Sequence, residues 1–145
     1  TISVRKTDIT NSITQDVVRY GSHSKFDTLV SLLKDQTFER VIIFGAMKHS
    51  VEKLSLELVH AGITADAIHG NKSHGQRQRA LQNFKAGKVK VLVATDVAAR
   101  GIHVDDVSHV INYDLPGTYE DYVHRIGRTG RGSKRGQALT FVPAT

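Results

Sequence analysis

The chain contains no cysteine, which excludes a disulfide framework and any thiolate metal site. Eight histidines remain, but no two stand at the His-x-x-x-His spacing that would put both rings on one helix face, so no metal site is expected. No apolar run approaches the roughly 20 residues needed to cross a bilayer. The start does not read as a charged segment followed by an apolar one. The expectation is a soluble protein of a reducing compartment, cytoplasmic, with no membrane partner. A further absence concerns phosphate chemistry. No GxxxxGK[ST] string occurs, and no acidic pair sits at a strand end to hold Mg²⁺. Gly21-Ser22-His23-Ser24-Lys25 has the wrong spacing for a phosphate loop. If a nucleotide is hydrolysed with this chain's help, the phosphate loop and the Mg²⁺ ligands come from elsewhere.

What is present fits one compact domain of 145 residues, 39% of them hydrophobic and 23% charged, enough to bury a real core. The net charge is +6, and it is unevenly spread. Residues 1–68 carry eight Lys and Arg against eight Asp and Glu, while residues 69–145 carry twelve against six. A basic excess confined to one half suggests a polyanionic partner, nucleic acid or nucleotide phosphate; a solvated basic surface would look the same.

Apolar runs alternate with amphipathic stretches. Val41 to Phe44, Ala65 to Ile68, Val91 to Ala94, Val110 to Tyr113 and Ala138 to Val142 read as strands, with Ile13 to Val18 as an opening strand. Phe26, Leu29, Val30 and Leu33 form one helical face, and Met47, Val51, Leu54 and Leu58 another, ending near Gly62. A polar helix is expected from Ser73 to Ala86, with Ala80, Leu81 and Phe84 inward and Gly87 as its stop. Strands alternating with helices imply right-handed crossovers and a mainly parallel sheet, helices on both faces, in a three-layer α/β domain. Ligands of such sheets bind at the carboxyl ends of the strands. The loops of interest are those after Phe44, Ile68, Ala94 and Tyr113. Residues 1–12 read as a lead-in from a preceding domain.

Three segments carry chemistry. VLVATDVAARGIHV, from Val91 to Val104, runs a strand into Thr95-Asp96, small residues and Arg100-Gly101. Small side chains let backbone N–H groups approach a phosphate that Thr and Arg also suit; a helix cap with a surface arginine gives the same pattern. YVHRIGRTGRG, from Tyr122 to Gly132, repeats Arg125, Arg128 and Arg131 with glycines between them. Each glycine costs roughly 1 kcal/mol in a helix, so the segment reads as open backbone presenting guanidiniums to phosphate. A basic nucleic-acid loop without catalysis is the other reading. HGNKSHGQRQR, from His69 to Arg79, offers Asn71, Lys72, Arg77 and Arg79 to a sugar–phosphate backbone, or is a plain helix cap.

In this order the segments closely resemble the second RecA-like domain of DEAD-box RNA helicases, over about Ile13 to Val142. VIIF resembles motif IV, HGNKSHGQRQRALQNFKAG motif IVa, VLVATDVAARGIHV motif V, and YVHRIGRTGR motif VI in its usual form. The resemblance implies a RecA-like fold and half of an ATPase site. Its partners would be RNA and a preceding RecA-like domain of the same polypeptide that holds ATP and Mg²⁺, the isolated domain being monomeric. It makes Arg128 and Arg131 arginine fingers to the γ-phosphate and puts His124 at the domain interface. Gly101 and His103 would lie at the nucleotide. Thr95, Gly70, Arg77 and Lys72 would hold the RNA backbone. Asp96 would order motif VI, Arg125 would bind within the interface, and Phe44 would pack beneath the arginines. Two positions depart from the family pattern. His103 stands where an acidic residue usually binds the ATP ribose, which implies altered nucleotide affinity. His74 stands where motif IVa usually has Gln. A non-catalytic RNA-binding module or a DNA-translocating relative are the other readings, and the HRIGRTGR string argues against both.

Overall fold

A computed structural model describes residues 13–21, 24–100, 107–126 and 136–143. Six strands form one parallel sheet: β1 (Ile13–Tyr20), β2 (Val41–Phe44), β3 (Ala65–Ile68), β4 (Val91–Ala94), β5 (His109–Asn112) and β6 (Gly136–Pro143). Their order across the sheet is β1-β6-β5-β2-β4-β3, and every neighbouring pair is parallel. The expected α/β class is therefore found, with the described strands entirely parallel.

Burial on both faces explains why β2 and β4 are continuous apolar runs rather than alternating ones. Side chains nevertheless point alternately to opposite faces, and two cores result. Val41, Ile43, Val91, Val93 and Ile111 face α1 (Lys25–Leu33) and α2 (Lys48–His60), meeting Leu29, Leu33, Val51, Leu54 and Leu58. Ile42, Phe44, Leu92, Ala94 and Val110 face the other way, toward Ala80 and Phe84 of α3 (His74–Lys85) and Ala99 of α4 (Asp96–Ala99). Each fully buried Val, Leu, Ile or Phe contributes roughly 1.5–3 kcal/mol.

Several elements differ from the sequence reading. β5 starts one residue earlier, at His109, because that imidazole is itself buried (2% exposed) and paired in register with Val41 and Gln137. β1 and β6 run longer than expected because they pair with each other over eight positions. Met47 is not on the inner face of α2. It is the extended residue before the first turn, 62% exposed. Finally, Tyr122 to Ile126 is not open backbone: α5 spans Tyr119–Ile126. Its start carries a cap the sequence reading missed, Thr118 Oγ1 accepting from the Asp121 N–H at 3.0 Å.

Candidate functional site

The carboxyl ends of β2, β4 and β5 converge on one buried cation. Arg125, on α5, is 2% exposed. Its Nε donates to Asp96 Oδ1 at 2.7 Å and its Nη2 to Asp96 Oδ2 at 2.8 Å, a two-pronged pair that suits the planar guanidinium. Its Nη1 donates to Asn112 Oδ1 at 3.2 Å and to the Asp114 carbonyl at 2.6 Å. Asn112 in turn donates from Nδ2 to Thr140 Oγ1 at 3.1 Å. The Phe44 ring lies under the guanidinium, its centroid 5.1 Å from Cζ. A buried charge is tolerated only when its donors are matched in this way. Arg125 is thus enclosed within this domain rather than presented at an outer face.

Asp114 extends the network. Its Oδ2 accepts from the Ala46 N–H at 2.8 Å, and its Oδ1 meets Lys25 Nζ at 3.4 Å. That lysine sits 4.1 Å from the centroid of the Tyr113 ring. Burial is the main reason the Tyr113 phenol is pushed up to about 12. The loops after β2 and β5 are therefore tied to the start of α1 and, through Arg125, to α5. Sequence reasoning missed Asn112, Asp114 and Lys25. The one signal available was a polar residue, Asn112, ending a buried apolar run.

Thr95 caps α4, its hydroxyl accepting from the Ala98 N–H at 3.4 Å, and its own N–H reaches the Ile68 carbonyl at 3.4 Å. The ends of β3 and β4 are thereby joined. Beside them Phe44, Asp96, Ala99, Arg100, Asp121, His124 and Arg125 line a pocket of about 40 Å³, with room for a water and not for a nucleoside. His124 is exposed at its rim. Gly101, His103, Arg128 and Arg131 lie outside the described residues. Among the described residues no group of three or more His, Asp or Glu is arranged to hold a metal ion.

The second cluster follows β3. His69 to Lys72 is a turn closed by the Lys72 N–H on the His69 carbonyl at 3.1 Å. Lys72 Nζ stands 3.5 Å from Glu52 Oε1, and a Cβ at Gly70 would meet nothing within 4 Å. α3 then begins with a capping box, Ser73 and Gln76 each accepting from the other's backbone N–H. Arg77 is half-buried, and its Nε has no hydrogen-bond partner among the described residues. His74 and Arg79 are exposed. The structure thus brings Gly70, Lys72 and Arg77 together around one turn and helix start, next to the strand end that carries Thr95.

The model of the helicase conserved C-terminal domain matches residues 24–133. The ATP-dependent RNA helicase CshA of Listeria monocytogenes is 50% identical over 130 residues, covering 90% of this chain and 25% of that protein. The chain spans about a quarter of the length of the curated relatives it matches. Among solved structures, the Escherichia coli DEAD-box protein SrmB bound to RraA superposes with a TM-score of 0.80 at 40% identity, over 90% of this chain and 78% of that one. Saccharomyces cerevisiae Dbp5 bound to RNA and ADP BeF3 gives 0.83 at 34% identity, over 99% of this chain and 39% of that one.

Proposed function

The chain belongs to the helicase conserved C-terminal domain family, in its DEAD-box branch, and we propose that it supplies arginine fingers and part of the RNA-backbone surface to an ATP-dependent RNA helicase. ATP, with Mg²⁺ held by a preceding RecA-like domain, supplies the phosphoanhydride whose cleavage resets the enzyme.

The observation that carries the reading is the anchoring of α5. Asp96, Asn112 and the Asp114 carbonyl hold Arg125, and the residues that follow are Gly127, Arg128, Thr129, Gly130 and Arg131. Four of the five Arg125 N–H donors are committed inside the domain, and its side chain is buried. Its part is to seat the helix from which Arg128 and Arg131 are delivered, with Phe44 beneath it and Asp96 ordering the segment. An arginine that reaches a transferring phosphoryl group is worth roughly a thousandfold or more in rate, because it neutralises developing charge. His124, at the pocket rim, would meet the preceding domain and link the nucleotide state to RNA. Gly101 and His103 would lie toward the nucleotide, where a neutral imidazole can still hydrogen-bond a ribose hydroxyl.

RNA would run along the ends of β3 and β4. Thr95, the open Gly70 backbone, Lys72 and Arg77 offer a hydroxyl, N–H groups and two cations there, suited to phosphate contacts that carry no base sequence. Strand separation by such contacts would be largely independent of sequence and would weaken with salt. The RNA-bound Dbp5 neighbour supports the assignment.

The test is RNA-stimulated ATP hydrolysis by the full-length parent with and without Arg131→Ala. The rate should fall at least about a hundredfold while RNA binding survives. An unaffected mutant, or a parent without ATPase activity, would return the segment to RNA binding alone.

A further inference from the structure

His69 is 5% exposed and forms the buried end of the turn that carries Gly70, Asn71 and Lys72. Its two ring nitrogens have different tasks. The Asn71 N–H donates to Nδ1 at 3.2 Å, so Nδ1 holds a lone pair and the ring proton sits on Nε2. That Nε2–H donates to Glu52 Oε1 at 2.8 Å. The hydrogen bond from His69, and then Lys72, hold the Glu52 carboxyl below its usual range, so the acceptor is a carboxylate. Lys48, at the start of α2, donates to Asn71 Oδ1 at 3.1 Å. α2 therefore grips the turn at three points, through the imidazole, the Asn71 amide and Lys72. Without the ring, the Asn71 N–H would have to find another acceptor, and the turn would be held by its end-to-end bond and two flexible lysines.

We propose that His69 is a positioning residue for RNA: its neutral imidazole, oriented by Glu52, fixes the Gly70–Lys72 turn in the form that receives the phosphate backbone. The inference rests on the RNA-binding reading above and adds a side chain that itself touches no RNA. Two substitutions separate the ring's two tasks. His69→Asn keeps an acceptor near the Nδ1 position and loses the reach to Glu52. His69→Gln keeps a donor to Glu52 and loses the acceptor for the Asn71 N–H.

The experiment uses the full-length parent. Anisotropy of a short fluorescent oligouridylate, with a non-hydrolysable ATP analogue present, gives affinity. RNA-stimulated turnover gives KM for RNA and kcat, and hydrogen exchange reports the Asn71 amide. His69→Gln should weaken RNA binding about fivefold, the order expected for one lost hydrogen bond. It should raise KM for RNA similarly, leave kcat at saturating RNA within about twofold, and speed exchange at Asn71. His69→Asn should retain most of the affinity. The proposal is overturned if the Gln variant binds like wild type, if the Asn variant is as weak as Gln, or if kcat and thermal midpoint fall in step with affinity. Each of those results leaves the RNA-binding reading standing. A wild-type parent that binds no RNA overturns both.

Discussion

β5 buries a polar ring at its amino end and helps bury a guanidinium at its carboxyl end, and the surroundings of the two differ. Arg125, beside Asn112, has a carboxylate on two donors, an amide and a carbonyl on a third, and an aromatic face beneath. His109, 2% exposed, lies flat against Phe38 with ring centroids 3.7 Å apart and planes 12° from parallel. Its Nδ1 meets Ser108 Oγ at 2.9 Å, and its Nε2 makes no full hydrogen bond among the described residues, although the Gln137 side chain favours a proton on the ring. Burial holds His109 below its usual range. One end keeps a charge and pairs every guanidinium nitrogen; the other keeps a ring and gives up the charge. The matched end is where loops must be held for ligands, and the unmatched end is packing.

The largest test of that contrast is Arg125→Ala. Asp96 keeps some solvent contact, but removing the buried guanidinium leaves the Asn112 amide unpaired and a cavity in its place, at a cost of about 2 kcal/mol or more. Urea unfolding of the chain should show it. Arg125→Lys should recover only part, because an ammonium lacks the fork that spans both Asp96 oxygens. If Arg125→Ala cost under about 1 kcal/mol, the network would be incidental to stability and the contrast between the two ends would fail.

A smaller effect is expected at Gly45, also at the carboxyl end. A Cβ there would lie 2.9 Å from Val51 Cγ2 and 3.5 Å from Asp114 Oδ2. Gly45→Ala should cost about 1–3 kcal/mol by overpacking, and it should loosen the Asp114 contact with Ala46. Thermal unfolding gives the cost, and exchange of the Ala46 amide gives the loosening. A neutral Gly45→Ala would mean that α2 shifts freely and that the loop after β2 is not tightly held.

How much of this was legible in the sequence depends on how local the cause was. β2, β3 and β4 were read residue for residue, because each is a short run bounded by clear turn or helix signals. β5 was misplaced by one residue because a buried histidine looks polar in sequence and apolar in register. α5 was misread because three glycines follow it, and their helix penalty was extended backward over residues that Thr118 caps. Thr95, Asp96, Phe44 and Arg125 were singled out; the bond between Asp96 and Arg125 spans 29 positions, beyond any spacing rule, and only the resemblance tied Asp96 to the segment that holds Arg125. Asp114 and Glu52 were missed for the same reason: each acts on a loop or ring that only the sheet order brings near.

The amino end supplies the smallest effect and the sharpest sign. An unfolded imidazole takes up a proton near pH 6.5, whereas folded His109 resists because burial penalises its charged form; the Gln137 side chain, then Asp35 and Glu39, favour the proton and Lys90 opposes it, all lesser influences. The unfolded state therefore binds more protons as the pH falls below about 6.5, and stability drops through that window. Above it His109 contributes no pH dependence, and once folded His109 is itself protonated the loss levels off. The lowered Glu52 carboxyl acts in a separate, more acidic window, its stabilisation being lost as pH falls below the ordinary carboxylate range. Urea midpoints measured between about pH 7.5 and pH 5.5 should decline in the wild type and decline less in His109→Phe. At neutral pH that variant should stay within about 1 kcal/mol of wild type, since an aromatic ring still stacks on Phe38 and no charge is left unpaired. A variant that keeps the full acid slope would assign it to other histidines, and one that loses several kcal/mol at neutral pH would show that the Ser108 bond matters more than the stack.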